Sequence, residues 1–193
     1  QEVVIIGGHL DSWDLGTGAI DDGAGVAITM AAGELIGKLK QAPKRSIRVI
    51  AFANEEQGLH GGSAYAAAMK ADVDKHQLGA ESDFGAGRVY ALQGGVDEKS
   101  WPVLEQVGKI LEPLGIVVDK TNGGPGPDIG AMAAQGMPWA ELAQDGTDYF
   151  DYHHTANDTL DKIDPKALDQ QVAAYAVLAY LAAETDVDFD KKP

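Results

Sequence analysis

The sequence predicts an α/β fold, a three-layer α/β/α domain around a mixed, mostly parallel central sheet. Three observations carry this. Short β-branched runs such as Val3-Val4-Ile5-Ile6 and Ser46–Ala53 (SIRVIAFA) read as strands. They alternate with longer segments of helical periodicity, and that alternation is the mark of a sheet covered on both faces. The chain has 193 residues, about one domain's worth, with 45% hydrophobic content, enough for a core without covalent staples.

In order, residues 2–8 form a strand whose continuous apolar run fits burial on both faces. A polar, glycine-containing loop runs from His9 to Gly25. A helix follows from Ala24 to Lys40, with Val26, Met30, Ala31, Leu35 and Leu39 as its apolar stripe and Pro43 as its stop. Residues 46–53 are a second buried strand, ending at Asn54-Glu55-Glu56. A helix lies within 58–70, and 78–84 and 88–92 are short strands. Residues 100–111 are helical up to Pro113. Thr121–Asp128 (TNGGPGPD) is a Gly/Pro loop without regular structure. Residues 129–135 form a short helix, 138–142 a strand, and 145–159 a loop rich in Asp, Tyr and His. The last helix spans Pro165–Glu184, with Pro at its start and a stripe of Leu168, Val172, Tyr175, Leu178 and Ala179. One domain thus covers 1–185, and 186–193 is a polar, frayed tail.

Charge and composition exclude several classes. Fifteen basic and 30 acidic residues give a net charge of −15, the wrong sign for a nucleic-acid or anionic-membrane partner. No apolar run reaches a membrane span. There is no cysteine, so a disulfide framework, a thiolate metal site and a cysteine nucleophile are all excluded. The glycines at 16, 18, 23 and 25 lack both the order and the lysine of a phosphate loop. The chain opens inside a buried strand and carries no signal peptide, as expected of a mature protein, a fragment or an excised domain.

Ligands of open α/β sheets collect at the carboxyl ends of the strands. There the sequence puts His9 and Asp11, the pair Asp21-Asp22, the pair Glu55-Glu56, Asp83, and His153-His154. Singly these are unremarkable: Glu55-Glu56 could be a helix-terminal charge pair and Asp21-Asp22-Gly23 a turn. Together they are the inventory of a metal site with nitrogen and oxygen ligands.

Four phrases carry a family resemblance: GGHLDSWDLGTGAIDDGAG, FANEEQGLHGGS, Glu81-Ser82-Asp83, and His154-Thr155-Ala156-Asn157-Asp158-Thr159. The chain resembles the M28 family of zinc peptidases, and the first phrase is particularly similar to its carboxypeptidase Q branch. The resemblance implies two zinc ions held by His9, Asp21, Glu56, Asp83 and His154. Asp21 bridges the ions, and Glu56 completes the half begun by His9. It implies a cis peptide at Asp21–Asp22 and Glu55 as general base. Asp11 is expected to accept the second ring N–H of His9, fixing its tautomer. Spacing alone leaves His153 and His154 both open as ligand; the family phrase favours His154, which makes His153 a contact for substrate or oxyanion. Asp158 is expected to orient the His154 loop, and Asp128 to support the site or wall its pocket. His60 and His76 are expected at the surface. Two zinc dications against three carboxylates and a hydroxide leave the cluster near neutral.

The implied activity is hydrolysis of small peptides or dipeptides by an exopeptidase in a secreted or periplasmic setting. The resemblance also allows a homodimer and an N-terminal or lid segment outside this chain. Two alternatives share the fold: a glutaminyl cyclase-like acyltransferase with one zinc, and a non-catalytic ectodomain of the transferrin-receptor type. The first requires altered bridging and base residues, the second missing ligands.

Overall fold

The structure, a computed structural model, describes residues 2–189. In chain order its elements are β1 (Val3–His9), α1 (Ala24–Gly37), β2 (Ser46–Phe52), α2 (His60–Met69), β3 (His76–Glu81), β4 (Val89–Gly95), α3 (Trp101–Leu111), β5 (Val117–Val118), α4 (Gly130–Ala134), β6 (Trp139–Gln144), α5 (Tyr149–Tyr152) and α6 (Pro165–Glu184). The sheet order is β2-β1-β3-β6-β4-β5. β2, β1, β3 and β6 run parallel, β4 is antiparallel to β6, and β5 is parallel to β4. The sheet is therefore mixed and mostly parallel, as the sequence predicts.

Alternation along β1 builds both cores. Val4 and Ile6 face the larger one, with Ile28 and Ala32 of α1, Leu104 and Val107 of α3, and Leu178 and Ala179 of α6. Val3 and Ile5 face the smaller one, with Phe52, Ala66 of α2 and Met132 of α4. One sheet face thus carries α1, α3 and α6 and the other α2 and α4. α6 begins on a cap: the Asp164 carboxylate accepts the Lys166 N–H at 3.0 Å, and Pro165 occupies the first helical position. Such a cap contributes about 1 kcal/mol.

Several details differ from the sequence expectations. β2 is an edge strand, and Arg48 and Val49 lie in its less buried stretch rather than in a doubly covered core. α1 ends at Gly37 and buries Ala24, Ile28, Ala32 and Ile36, while Met30, Leu35 and Leu39 are exposed. The buried face combines Ile28 and Ile36 with the small residues Ala24, Gly25 and Ala32, and Met30 and Leu35 face away. On α6 the buried face includes Gln170 and Gln171 as well as Tyr175 and Leu178; Gln170 Nε2 donates to the Val89 carbonyl at 2.8 Å. The tail is docked as far as it is described: Arg45 donates to the carbonyls of Thr185 and Val187, and Phe189 is buried. Residues 190–193 lie outside the described residues. Among the described residues, no helix is long and apolar enough to cross a membrane.

The chain leaves β1 for β2 on one side and later places β3 on the other. β1 and β3 therefore flank a topological switch point, where a crevice opens beyond the strand ends.

Candidate metal centre

His9 is the last residue of β1 and is buried. Its Nε2 lies 3.0 Å from Asp21 Oδ1 and 3.3 Å from Asp83 Oδ1. Asp83 follows the end of β3, so adjacent strands deliver these groups to one point.

Asp21 is held from several sides. The peptide Asp21–Asp22 is cis. The Asp158 carboxylate accepts the N–H groups of Ile20 at 2.5 Å and Asp21 at 3.1 Å. Asp158 thus fixes the backbone that carries Asp21, rather than acting on the His154 loop alone. Asp22 turns away from the crevice, and its carboxylate accepts the His9 N–H at 2.9 Å and the Gly25 N–H at 3.0 Å. A Cβ on Gly25 would lie 1.9 Å from the Ser82 carbonyl, so only glycine lets α1 start this close to β3. From the residues alone Asp22 is only half of the pair Asp21-Asp22; its partners, the N–H groups of His9 and Gly25, are set by the fold.

Asp11 acts differently from the expectation. His9 Nδ1 pairs with the backbone carbonyl of Asp11 at 2.9 Å, while the nearer carboxylate oxygen is 3.8 Å away. That carboxylate instead accepts the N–H groups of Glu55 at 2.9 Å and Glu56 at 3.2 Å. Asp11 therefore fixes the turn after β2 that aims both glutamates.

His153 and His154 both reach the crevice, with Nε2 atoms 3.4 and 3.2 Å from Asp21 Oδ2. Their rings stack at 3.5 Å. His154 alone of the two also meets Glu56, with Nε2 2.7 Å from Oε2. Its backbone sits at φ 59°, a left-handed conformation uncommon outside glycine and typical of residues held for function. Trp13, absent from the sequence expectations, donates its indole N–H to Glu56 Oε2 at 2.6 Å.

The donors fall into two groups that meet at Asp21: His9, Asp21 and Asp83 on one side, Asp21, His153 and His154 on the other. Glu56 joins the second group through His154, so the expected pairing of Glu56 with His9 is not what the geometry gives. Asp21 Oδ2 and Glu56 Oε1 are buried without a hydrogen-bond partner. An orphaned carboxylate oxygen is costly to bury, and a cation satisfies it. The residues present therefore fit a metal. An open cavity of about 320 Å³ is lined by Asp21, Glu56, Asp83, His153 and His154 together with Glu55 and Tyr149.

The site crowds buried carboxylates against one another. Burial opposes charge on His9, but hydrogen bonds to Asp21 and Asp83 outweigh it and push the imidazole up to about 12. Burial, then repulsion from Asp83, pushes Glu55 up to about 7. Burial raises Asp83 and Glu56 as well, and repulsion from Asp21 adds to it at both. Asp21 is also disfavoured by burial, yet His9 holds its carboxyl below the usual value.

Asp128 supports the site from behind. It is buried, and its Oδ1 accepts the Gly62 N–H of α2 at 3.2 Å. Glu81 was not anticipated: its buried carboxylate accepts the N–H groups of Asp128 and Ile129 at 3.2 and 3.1 Å, tying the 121–129 loop to β3. His60 is exposed as expected. His76 is buried instead, with Nε2 2.9 Å from the Tyr65 hydroxyl, because it opens an interior strand.

Fold and site together define a three-layer α/β domain with a histidine–carboxylate metal centre at the carboxyl edge of its sheet. Residues 1–179 match the sequence pattern of Peptidase family M28, and the chain belongs to that family. It is 39% identical over 186 residues to mouse carboxypeptidase Q, covering 96% of this chain and 39% of the relative. A peptidase M28 precursor from Shewanella amazonensis superposes with a TM-score of 0.96 at 52% identity, over 100% of this chain and 43% of that one. An aminopeptidase from Aneurinibacillus superposes with a TM-score of 0.75 at 28% identity, over 100% of this chain and 46% of that one. The chain spans about two fifths of the length of the curated relatives it matches.

Proposed function

We propose that this domain is the catalytic part of a zinc exopeptidase that hydrolyses small peptides or dipeptides, with Glu55 as general base. The observation that carries the reading is Asp21, whose two carboxylate oxygens face different donor groups, His9 at 3.0 Å and His154 at 3.2 Å. His9, Asp21 and Asp83 would hold one zinc; Asp21, Glu56 and His154 the other. Histidine and carboxylate donors suit zinc. When bound, such a pair lowers the pKa of a water and polarises the scissile carbonyl.

The remaining work belongs to this chain's own groups. Glu55 lines the cavity, and none of its carboxylate oxygens is engaged in a hydrogen bond among the described residues. Asp11 aims it by holding its backbone N–H. In this reading it would take a proton from the attacking water and return it to the leaving amine. His153 lies beside Asp21 and stacks on His154, and in this reading it would contact the substrate carbonyl. A secreted or periplasmic setting is part of the same proposal and rests on the family resemblance alone.

The test is Glu55→Gln. It should bind zinc as the parent does and lose at least about a hundredfold in turnover on dipeptides or aminoacyl-anilides. Full activity in that variant would remove Glu55 as the base.

A further inference from the structure

We infer that Trp13 is a positioning residue for the metal centre. Its indole N–H would hold one oxygen of Glu56 so that the other is presented to a metal. The inference rests on the proposed zinc site and concerns how this chain prepares it.

The geometry separates the two Glu56 oxygens. Oε2 accepts the Trp13 indole N–H at 2.6 Å and lies 2.7 Å from His154 Nε2. Oε1 is buried and has no hydrogen-bond partner. A carboxylate with both oxygens free rotates about its terminal torsion. With one oxygen tied to a directional donor, the remaining lone pairs have a fixed aim. An N–H donor on a ligating carboxylate tunes a metal site in this way. The Trp13 ring also lies against the His154 ring, with centroids 5.0 Å apart. One side chain thus touches two members of the same donor group.

A half-exposed tryptophan on a loop is ordinarily surface. Here the loop is pinned on both sides of it. Two residues earlier, Asp11 accepts the N–H groups of Glu55 and Glu56. Four residues later, Thr17 donates its N–H to the Asp158 carbonyl at 2.8 Å. Trp13 is therefore delivered to Glu56 by anchors that also fix the glutamate turn and the Asp21 backbone. The residue is 44% exposed while its indole N–H is engaged, the reverse of what apolar burial alone would select.

The test is Trp13→Phe, which keeps a ring against His154 and removes the N–H. Metal-free parent and variant are titrated with Zn²⁺ by calorimetry. In the variant, one of two binding events should weaken by about 10- to 100-fold while the other holds. The thermal midpoint of the metal-free variant should stay within about 2 °C of the parent. In the zinc-loaded parent, the Trp13 indole N–H should remain protected from solvent exchange by NMR. Unchanged affinities, or both events weakening together with a lower metal-free midpoint, would overturn the inference, as would loss of indole protection on loading. A parent that binds no zinc would refute the proposed function instead.

Discussion

The Asp11 carboxylate accepts the backbone N–H of Glu55 at 2.9 Å and is not the partner of the His9 ring. The distinction has consequences. Asp11→Ala leaves two N–H groups of the 55–56 turn without acceptors. It should lower stability by about 1–3 kcal/mol in chemical denaturation. It should also lower turnover and weaken zinc on the Glu56 side, because the base and the Glu56 carboxylate both lose their aim while the His9 ring keeps its carbonyl partner. Weakening confined to the His9 side would return Asp11 to a role on His9.

Asp158 tests whether the Asp21 backbone must be held. Both of its oxygens accept N–H groups. Asp158→Asn turns an NH₂ toward one of those donors, so stability should fall by about 1–3 kcal/mol. Zinc affinity should fall with it, measured by competition with a chelating dye. A variant with parental affinity would show that Asp21 keeps its place without this clamp.

Gly25 tests the close approach of α1 to β3. A methyl group there meets the Ser82 carbonyl and both Asp22 carboxylate oxygens. Backbone cannot swing aside as a flexible side chain does. Gly25→Ala should cost about 3 kcal/mol or more, with Gly37→Ala, where nothing lies within 4 Å, as the tolerated control. Parental melting of Gly25→Ala would mean that the contact relaxes freely.

The metal-free protein should lose stability as pH rises from about 5 to 8. Burial raises Glu55 from 4.5 to about 7 and Asp128 from 3.8 to about 6. Both therefore give up protons more readily when unfolded, and the fold weakens across that window. His9 is raised from 6.5 to about 12, so the stability tied to its proton is complete below 6.5 and declines above it. Asp21, lowered from 3.8, works in the opposite sense but is already ionised at pH 5. Melting in chelator across this range should fall, and added zinc should flatten or reverse the trend, since its ligands must be deprotonated. A flat profile in chelator would contradict the crowding of these carboxylates.

Much of the fold was legible because it rests on local patterns. Pro165 and the apolar repeat set α6 at the predicted bounds, and the Val3–Ile6 run marks the central strand. What was missed depends on tertiary contacts. The apolar stripe on α1 pointed to Met30 and Leu35, but the buried face is the one that carries Ile28 and Ile36 with Ala24, Gly25 and Ala32. The two-residue β5 exists only through its pairing with β4. In the site, the donor list was readable from strand ends and motif phrases. The pairing of Glu56 with His154 was not, since nothing local says which side of Asp21 a residue will face. Trp13 and Asp22 lie inside the recognised phrases, yet their partners at positions 56 and 9 are set by the fold.

If Asp21 is shared between two metal ions, as proposed, anomalous diffraction at the zinc edge from zinc-loaded crystals should show two peaks, one against His9 and Asp83 and one against Glu56 and His154, with one Asp21 oxygen directed at each. A single peak, or peaks away from Asp21, would rule that sharing out.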